Sequence, residues 1–194
     1  PTAGGNKATL SITLNDGEGH DDQQRVDVDL VGVNDPAIVD TTVLSPTFTA
    51  EGERVKLFEN TRIDTVEAGQ AIWYVAITLD NARPGDVLGV GNGRIAIGDT
   101  AGVGTTETGQ QYNILPRNAD GSVTVWIYTT LLPVNEVATL VDSITYGHTG
   151  DDTSGQRSIT LAVEEFVPNA GADDVTTTTL TDRAVVTFEA ATTP

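Results

Sequence analysis

The sequence predicts an all-β protein built as an antiparallel β-sandwich. Apolar and polar residues alternate with a period of two along most of the chain, and the alternating segments are rich in Val, Ile, Thr and aromatic residues. Clusters of Gly, Asn, Asp and Pro separate these segments, as turns separate the strands of a sandwich. A hydrophobic fraction of 38% over 194 residues is enough to form one large core.

Seven segments alternate clearly enough to be predicted as half-buried strands. In chain order they are Thr9–Leu14, Val26–Val33, Ala71–Leu79, Arg94–Ile97, Ser122–Tyr128, Ser158–Val163 and Ala184–Phe188. The only helical candidate is Pro133–Val141, because its apolar residues fall on one face and proline suits a first helical turn.

Two tryptophans lie in these strands, and we expect them to pack on the sheet rather than to form a sugar-binding platform. Alternation predicts that Tyr74 lies on the opposite sheet face from Trp73, whereas Tyr128 shares a face with Trp126.

The charge balance excludes several classes of partner. With 28 acidic and 10 basic residues the net charge is −18, which repels nucleic acid and anionic lipid and attracts divalent cations. The sequence contains no run of 18 apolar residues, so we expect no membrane insertion. Cysteine is absent, so disulfides and thiolate metal sites are excluded, and Ca²⁺ is the common alternative stabiliser of an extracellular β-protein.

A faint internal repeat bears on domain organisation. "GNKATLSITLNDGEG" from Gly5 and "GQRSITLAVEEFVPN" from Gly155 both place an amide, a base and an alternating strand after glycine. Each is predicted to open a hairpin, the first ending in "VNDP". Residues 1–35 are therefore either the terminal hairpin of a preceding module or a hairpin that completes the same sandwich, and residues 36–194 form the main module. We expect the chain to be a piece of a longer protein and monomeric as a fragment.

Acidic loops supply the candidate metal ligands. The loop "LNDGEGHDD" carries Asp16 and Glu18, Pro36 holds Asn34 and Asp35 at a strand end, and Glu51 precedes a new strand. Ca²⁺ takes six to eight oxygen ligands, so a joint that gathers Asp16, Asn34, Asp35 and Glu51 would be a cation cage. The alternative is a solvated acidic turn followed by a rigid linker.

Two further loops are candidates for a second calcium site. "DNARPGD" carries Asp80 and Asp86, and "HTGDDTSG" carries Asp151 and Asp152. They would form a site if they meet at one end of the sandwich.

Several segments, in their order, resemble the cadherin-like repeats of large type I-secreted bacterial RTX adhesins. These segments are "LNDGEG…QRVDVDLVGVNDPAIV", "FTAEGERVKL", "RPGDVLGV" and "LVDSITYGHTGDDTSGQRSITLAV", which together cover roughly residues 6–165. The second hairpin departs from the pattern, because it lacks the D-G-x-G loop and no "VNDP" follows Phe188.

The resemblance implies a Greek-key sandwich of cadherin or immunoglobulin type, calcium at the joints between modules, and a place on the bacterial cell surface. It also implies a role in adhesion and biofilm formation, with neighbouring modules of the same chain as partners.

The alternative function is a ligand-binding or split domain of such an adhesin, which recognises surface glycans or peptides. The segment Gly98–Asn113 is its candidate ligand loop, although we expect a long mobile loop there. We expect no catalysis, because neither histidine, His20 or His148, has a nucleophile motif nearby.

Overall fold

The computed structural model describes residues 6–19, 21–30, 34–49, 52–66, 69–98, 100–129, 132–150, 155–166 and 175–189. Its first strands are β1 (Asn6–Asn15), β2 (Asp21–Leu30), β3 (Ile38–Val43), β4 (Thr47–Thr49), β5 (Val55–Lys56), β6 (Phe58–Asp64), β7 (Ala71–Asp80), β8 (Asp86–Val90) and β9 (Gly93–Ala96). They are followed by β10 (Gly102–Thr105), β11 (Gln111–Ile114), β12 (Val123–Tyr128), helix α1 (Val134–Asp142), β13 (Thr145–His148), β14 (Arg157–Phe166), β15 (Thr176–Thr179) and β16 (Ala184–Glu189).

The largest sheet has the strand order β10-β11-β12-β7-β14-β16-β4, with β15 also paired to β14. All of its pairs are antiparallel except β16 with β4. Burial alternates with a period of two along β12 and β14, and the residues of β7 that face inward, Val75, Ile77 and Leu79, are completely buried. This sheet therefore supplies one wall of the core.

Shorter sheets supply the rest of the core. Strands β5-β13-β8-β9 form a four-stranded sheet, and β3 pairs with β6. Leu88, Ile95 and Tyr146 of the four-stranded sheet join the same hydrophobic cluster as β7, β12 and β14. Helix α1 buries Val137 and Val141 in this cluster. The all-β sandwich is confirmed, and α1, near the predicted 133–141, is the one helix among the described residues.

Each of the seven predicted strands is present, with ends that differ by a few residues. Val31–Val33, the predicted end of the second segment, lies outside the described residues.

The prediction that Trp73 and Tyr74 face opposite sides of the sheet is wrong. A register shift between Glu164 and Glu165 pairs Glu164 with Tyr74 but Glu165 with Ile72, so Trp73 is an extra residue in its strand. The Trp73 and Tyr74 rings consequently lie 5.7 Å apart. Tyr74 stacks on Trp126 at 4.6 Å and meets Tyr128 edge-on, so the predicted shared face of the last two is confirmed.

The segment Gly98–Asn113 differs from the expected long loop. Its described part forms the hairpin β10–β11 at one edge of the large sheet, closed by a turn in which Thr106 N–H donates to Gln110 O. The β-branched and aromatic residues Val103 and Tyr112 favour strand structure here, even though glycines interrupt the pattern.

The first hairpin stands apart from the sandwich. Strands β1 and β2 pair in register from Asn6 with Leu30 to Asn15 with Asp21, and neither pairs with any other described strand. One face carries a row of apolar side chains with 45–67% of their surface exposed, namely Leu10, Ile12, Leu14, Val26 and Val28.

Candidate functional site

The turn of the first hairpin holds the acidic residues Asp16 and Glu18, and both are exposed. Gly17 and Gly19 adopt positive φ angles of 79° and 93°, which explains the glycines of the D-G-x-G pattern. Asp16 Oδ1 accepts a hydrogen bond from the backbone N–H of Glu18 at 2.8 Å. One oxygen of this candidate ligand therefore also shapes the turn.

The joint between hairpin and sandwich contains Asn34 and Asp35. Asn34 Oδ1 accepts a hydrogen bond from Gln70 Nε2 at 2.5 Å, and the carbonyl of buried Ala37 accepts one from Thr178 Oγ1 at 2.5 Å. These contacts attach the exit of the hairpin to β15 and to the start of β7. The Asp35 side chain is exposed beside them.

The hairpin register separates the two candidate groups. Asp16 and Glu18 lie at the turn, whereas Asn34 and Asp35 follow the far end of β2, ten residues away along that strand. Ten residues of strand span about 30 Å. The structure therefore does not bring Asp16 or Glu18 together with Asn34 and Asp35 in one cage. Glu51, the remaining member of the predicted cage, lies outside the described residues.

The two acid-bearing loops, which would form a second site only if they meet, come together at Gly85 and Thr149. Thr149 N–H donates to Gly85 O at 2.9 Å, which joins the β7–β8 turn to the segment after β13. Asp80 forms an ion pair with Arg183 at 2.7 Å, and both side chains are partly exposed. The other two candidates of this group, Asp151 and Asp152, lie outside the described residues.

Asp86 lies at the centre of a buried polar cluster. Its Oδ1 accepts hydrogen bonds from Tyr146 Oη at 2.5 Å and from His148 Nδ1 at 2.9 Å. Its Oδ2 accepts from Arg157 Nε at 2.8 Å and from the backbone N–H of Arg83 at 2.9 Å. The side chains of Asp86, His148 and Arg157 have no exposed surface.

The four donors saturate the Asp86 carboxylate, which offers about four lone-pair directions. A calcium ion would have to displace them, so the expectation that Asp86 binds calcium has no geometric basis here. The cluster instead links three elements, because β8 supplies Asp86, β13 supplies Tyr146 and His148, and β14 supplies Arg157.

Aromatic rings close the cluster. The Phe188 ring lies 4.9 Å from the Arg157 guanidinium carbon and packs edge-on against Tyr146 and His148. Burial raises the pKa of Tyr146 well above its ordinary value, and the hydrogen bond to Asp86 raises it further. The phenol is therefore held in its neutral, donating form.

The Asp86–His148 pair has the geometry that orients histidine in hydrolases. A general base, however, must reach a substrate proton, and neither side chain is exposed. Glycines pack against the imidazole, since a Cβ on Gly85 or Gly150 would lie 3.0 Å from a ring atom. This arrangement favours a stabilising role for the cluster.

Sequence reasoning missed Tyr146, His148 and Arg157 as partners of Asp86. One signal was available, because Tyr146 and His148 are two residues apart in a strand and therefore share its inner face. Nothing local in the sequence indicates that Asp86 and Arg157, 71 residues apart, meet in the core.

Within the described part of the chain, no group of three or more His, Asp or Glu side chains is placed to hold a metal ion. No helix among these residues is long and apolar enough to cross a membrane. In comparisons with known proteins, no family model matches the chain and no curated protein is significantly similar to it. The resemblance to adhesin repeats therefore stays a prediction.

Proposed function

We propose that this chain is a calcium-stabilised β-sandwich module of a large secreted bacterial adhesin. Its role is to extend and stiffen the adhesin at the cell surface and so to support adhesion and biofilm formation. The observation that carries the proposal is the first hairpin, which is fully paired within itself, exposes an apolar row and pairs with no other strand among the described residues.

An isolated two-stranded hairpin is marginal in water, and a contiguous exposed apolar row marks a surface that another element covers. The internal sequence repeat indicates that the covering element is the sandwich core of a module. In the second copy of the pattern, Ile159, Leu161 and Val163 of β14 pack into the sandwich core. We therefore assign residues 1–35 to the end of a preceding module and residues 36–194 to the module that follows it.

Calcium would act where the modules meet. Asn34 and Asp35 lie at the joint, and the other oxygens would come from Glu51 or from the neighbouring module. Sites of this extracellular class bind calcium with dissociation constants of about 10⁻⁴–10⁻³ M. Such sites fill outside the cell but not in the cytosol, so the joint would stay loose until the chain is secreted.

Thermal unfolding with and without EGTA tests the calcium claim. In about 5 mM Ca²⁺, one site of this affinity is expected to raise the melting temperature by about 2–9 °C. An unchanged melting temperature would contradict a calcium-stabilised module.

A matched pair of variants locates the site. Asp35→Asn is expected to reduce the calcium-dependent rise, because it removes a joint carboxylate. Asp182→Asn removes an exposed carboxylate from the turn between β15 and β16 and should leave the rise intact. Equal effects of the two changes would indicate general charge screening instead of a joint site.

A second candidate function is recognition of a ligand by the module itself. It is favoured by a cavity on the four-stranded sheet that Arg54 and Arg94 line.

A further inference from the structure

The outer face of the four-stranded sheet carries an open cavity of about 460 Å³. It is lined by Gly52, Glu53, Arg54, Gly91, Arg94 and Thr145. Cavities that bind small molecules have volumes of about 300–1,000 Å³, so this one is large enough for a ligand of monosaccharide size.

Glycines set the position of Arg54. A Cβ on Gly147 would lie 2.8 Å from Arg54 Cγ, and a Cβ on Gly89 would lie 2.4 Å from Arg54 Nη1. Arg54 therefore lies across two neighbouring strands, β13 and β8. It occupies the space that a side chain at position 147 or 89 would fill. Its Nη1 donates to the Gly93 carbonyl at 2.8 Å, which fixes the orientation of the guanidinium.

Arg94 places a second guanidinium beside the same cavity. With Glu53 counted beside Arg54 and Arg94, the lining of the cavity carries a formal charge of +1 in a chain whose net charge is −18. Arg54 is held partly by packing, whereas Arg94 is exposed on β9 and free to meet a ligand.

The negative groups nearby limit the charge of the ligand. Glu53 lines the cavity, and Glu107 Oε2 accepts a hydrogen bond from the backbone N–H of Arg94 at 3.0 Å. Two carboxylates close to two guanidiniums, in a molecule of net charge −18, disfavour a dianion such as a phosphate ester. A single negative charge suits the site better.

We propose that this cavity binds a small organic monocarboxylate, whose carboxylate is held by Arg54 and Arg94. The planar guanidinium fork matches a carboxylate in geometry and binds it more strongly than a neutral acceptor. Glu53 lines the same cavity and offers an acceptor for a hydroxyl group of the ligand, so a sugar acid is the class that fits. The proposal does not depend on calcium at the joint.

Amide NMR titration with sodium glucuronate tests the proposal, with calcium and ionic strength held constant. The expected result is saturable shifts at Gly91, Arg94 and Thr145 that neither sodium chloride nor methyl glucoside produces. Tighter binding of inorganic phosphate than of glucuronate would overturn the assignment to monocarboxylates, and an equal response to methyl glucoside would overturn the role of the charge.

Three variants separate the site from general charge effects. Arg94→Gln is expected to weaken glucuronate binding about tenfold or more, because it removes a charge-assisted hydrogen bond. Arg54→Lys keeps the charge and loses the fork, so a smaller loss is expected. Arg62→Gln, which changes an exposed arginine on β6, should leave binding unchanged. If Arg94→Gln binds as tightly as the unaltered chain, the proposal is wrong.

Discussion

The two hairpins that share a sequence pattern differ in what covers their apolar faces. The first, β1–β2, pairs only within itself among the described strands and exposes its apolar row. In the second, β14 pairs with β15 and β16 on one side and with β7 on the other, and its apolar row is buried. The same alternation thus gives an exposed surface in one place and a core in the other.

The difference teaches that strand pattern alone does not decide burial. The second hairpin has a facing sheet to pack against and an anchor in the core, the Arg157–Asp86 ion pair. The first hairpin has neither within the described residues. The exposed apolar row of the first hairpin is suited to packing against a facing sheet, as the second hairpin does. This is the basis of the proposed joint between modules.

The largest effect expected concerns the anchor of the second hairpin. Asp86→Ala should destabilise the chain by about 3–5 kcal/mol, because it leaves Arg157 buried without its counter-ion. Asp80→Ala breaks the partly exposed pair with Arg183 and should cost at most about 1 kcal/mol. Urea unfolding of both variants measures the difference.

The Asp86 variant also separates two roles. If Asp86 only anchors Arg157, the calcium-dependent rise in melting temperature survives in Asp86→Ala at a lower baseline. If Asp86→Ala loses the calcium-dependent rise and Asp35→Asn keeps it, Asp86 is a ligand of the calcium site.

Two strand leucines, Leu161 in β14 and Leu10 in β1, test whether the two hairpins differ in packing. Leu161→Ala in β14 should cost about 2–5 kcal/mol, since the residue is fully buried. Leu10→Ala in β1 should cost no more than about 0.5–1 kcal/mol, since 57% of that side chain is exposed. Chemical denaturation gives both values, and similar losses would show that the first hairpin is packed in solution.

A smaller, pH-dependent effect follows from the raised pKa of buried Tyr146. The folded chain keeps the phenol proton where the unfolded chain loses it, so stability is full below about pH 10 and declines above it. Tyr146 contributes at most about 1.4 kcal/mol per pH unit to this decline. Tyr146→Phe should be less stable at neutral pH and show a shallower alkaline decline, and an unchanged slope would contradict the assignment.

Local pattern was sufficient to predict the strands, the short helix and the turn glycines of the first hairpin. Each of these depends on residues close together in sequence, such as the alternation of Ala71–Leu79 or the proline before α1. The sequence leaves open whether the two acid-bearing loops meet, and the hydrogen bond between Thr149 and Gly85 shows that they do.

The rest depends on register and on distant partners. The bulge at Trp73, opposite Glu164 and Glu165, reverses the expected side of this side chain, and no local signal marks it. The separation of Asp16 from Asn34 follows from the pairing of all ten residues of β1 with the ten residues of β2. The saturated carboxylate of Asp86 required Arg157 from another strand, which composition and spacing do not reveal.

The distance between the first hairpin and the sandwich tests the central claim most directly. Because the chain contains no cysteine, Thr13→Cys on β1 and Thr177→Cys on β15 give two unique, exposed positions for spin labels. A calcium-stiffened joint predicts a narrow distance distribution in about 5 mM Ca²⁺ and a broad one in EGTA. The same distribution under both conditions would contradict the proposal that calcium makes this joint rigid.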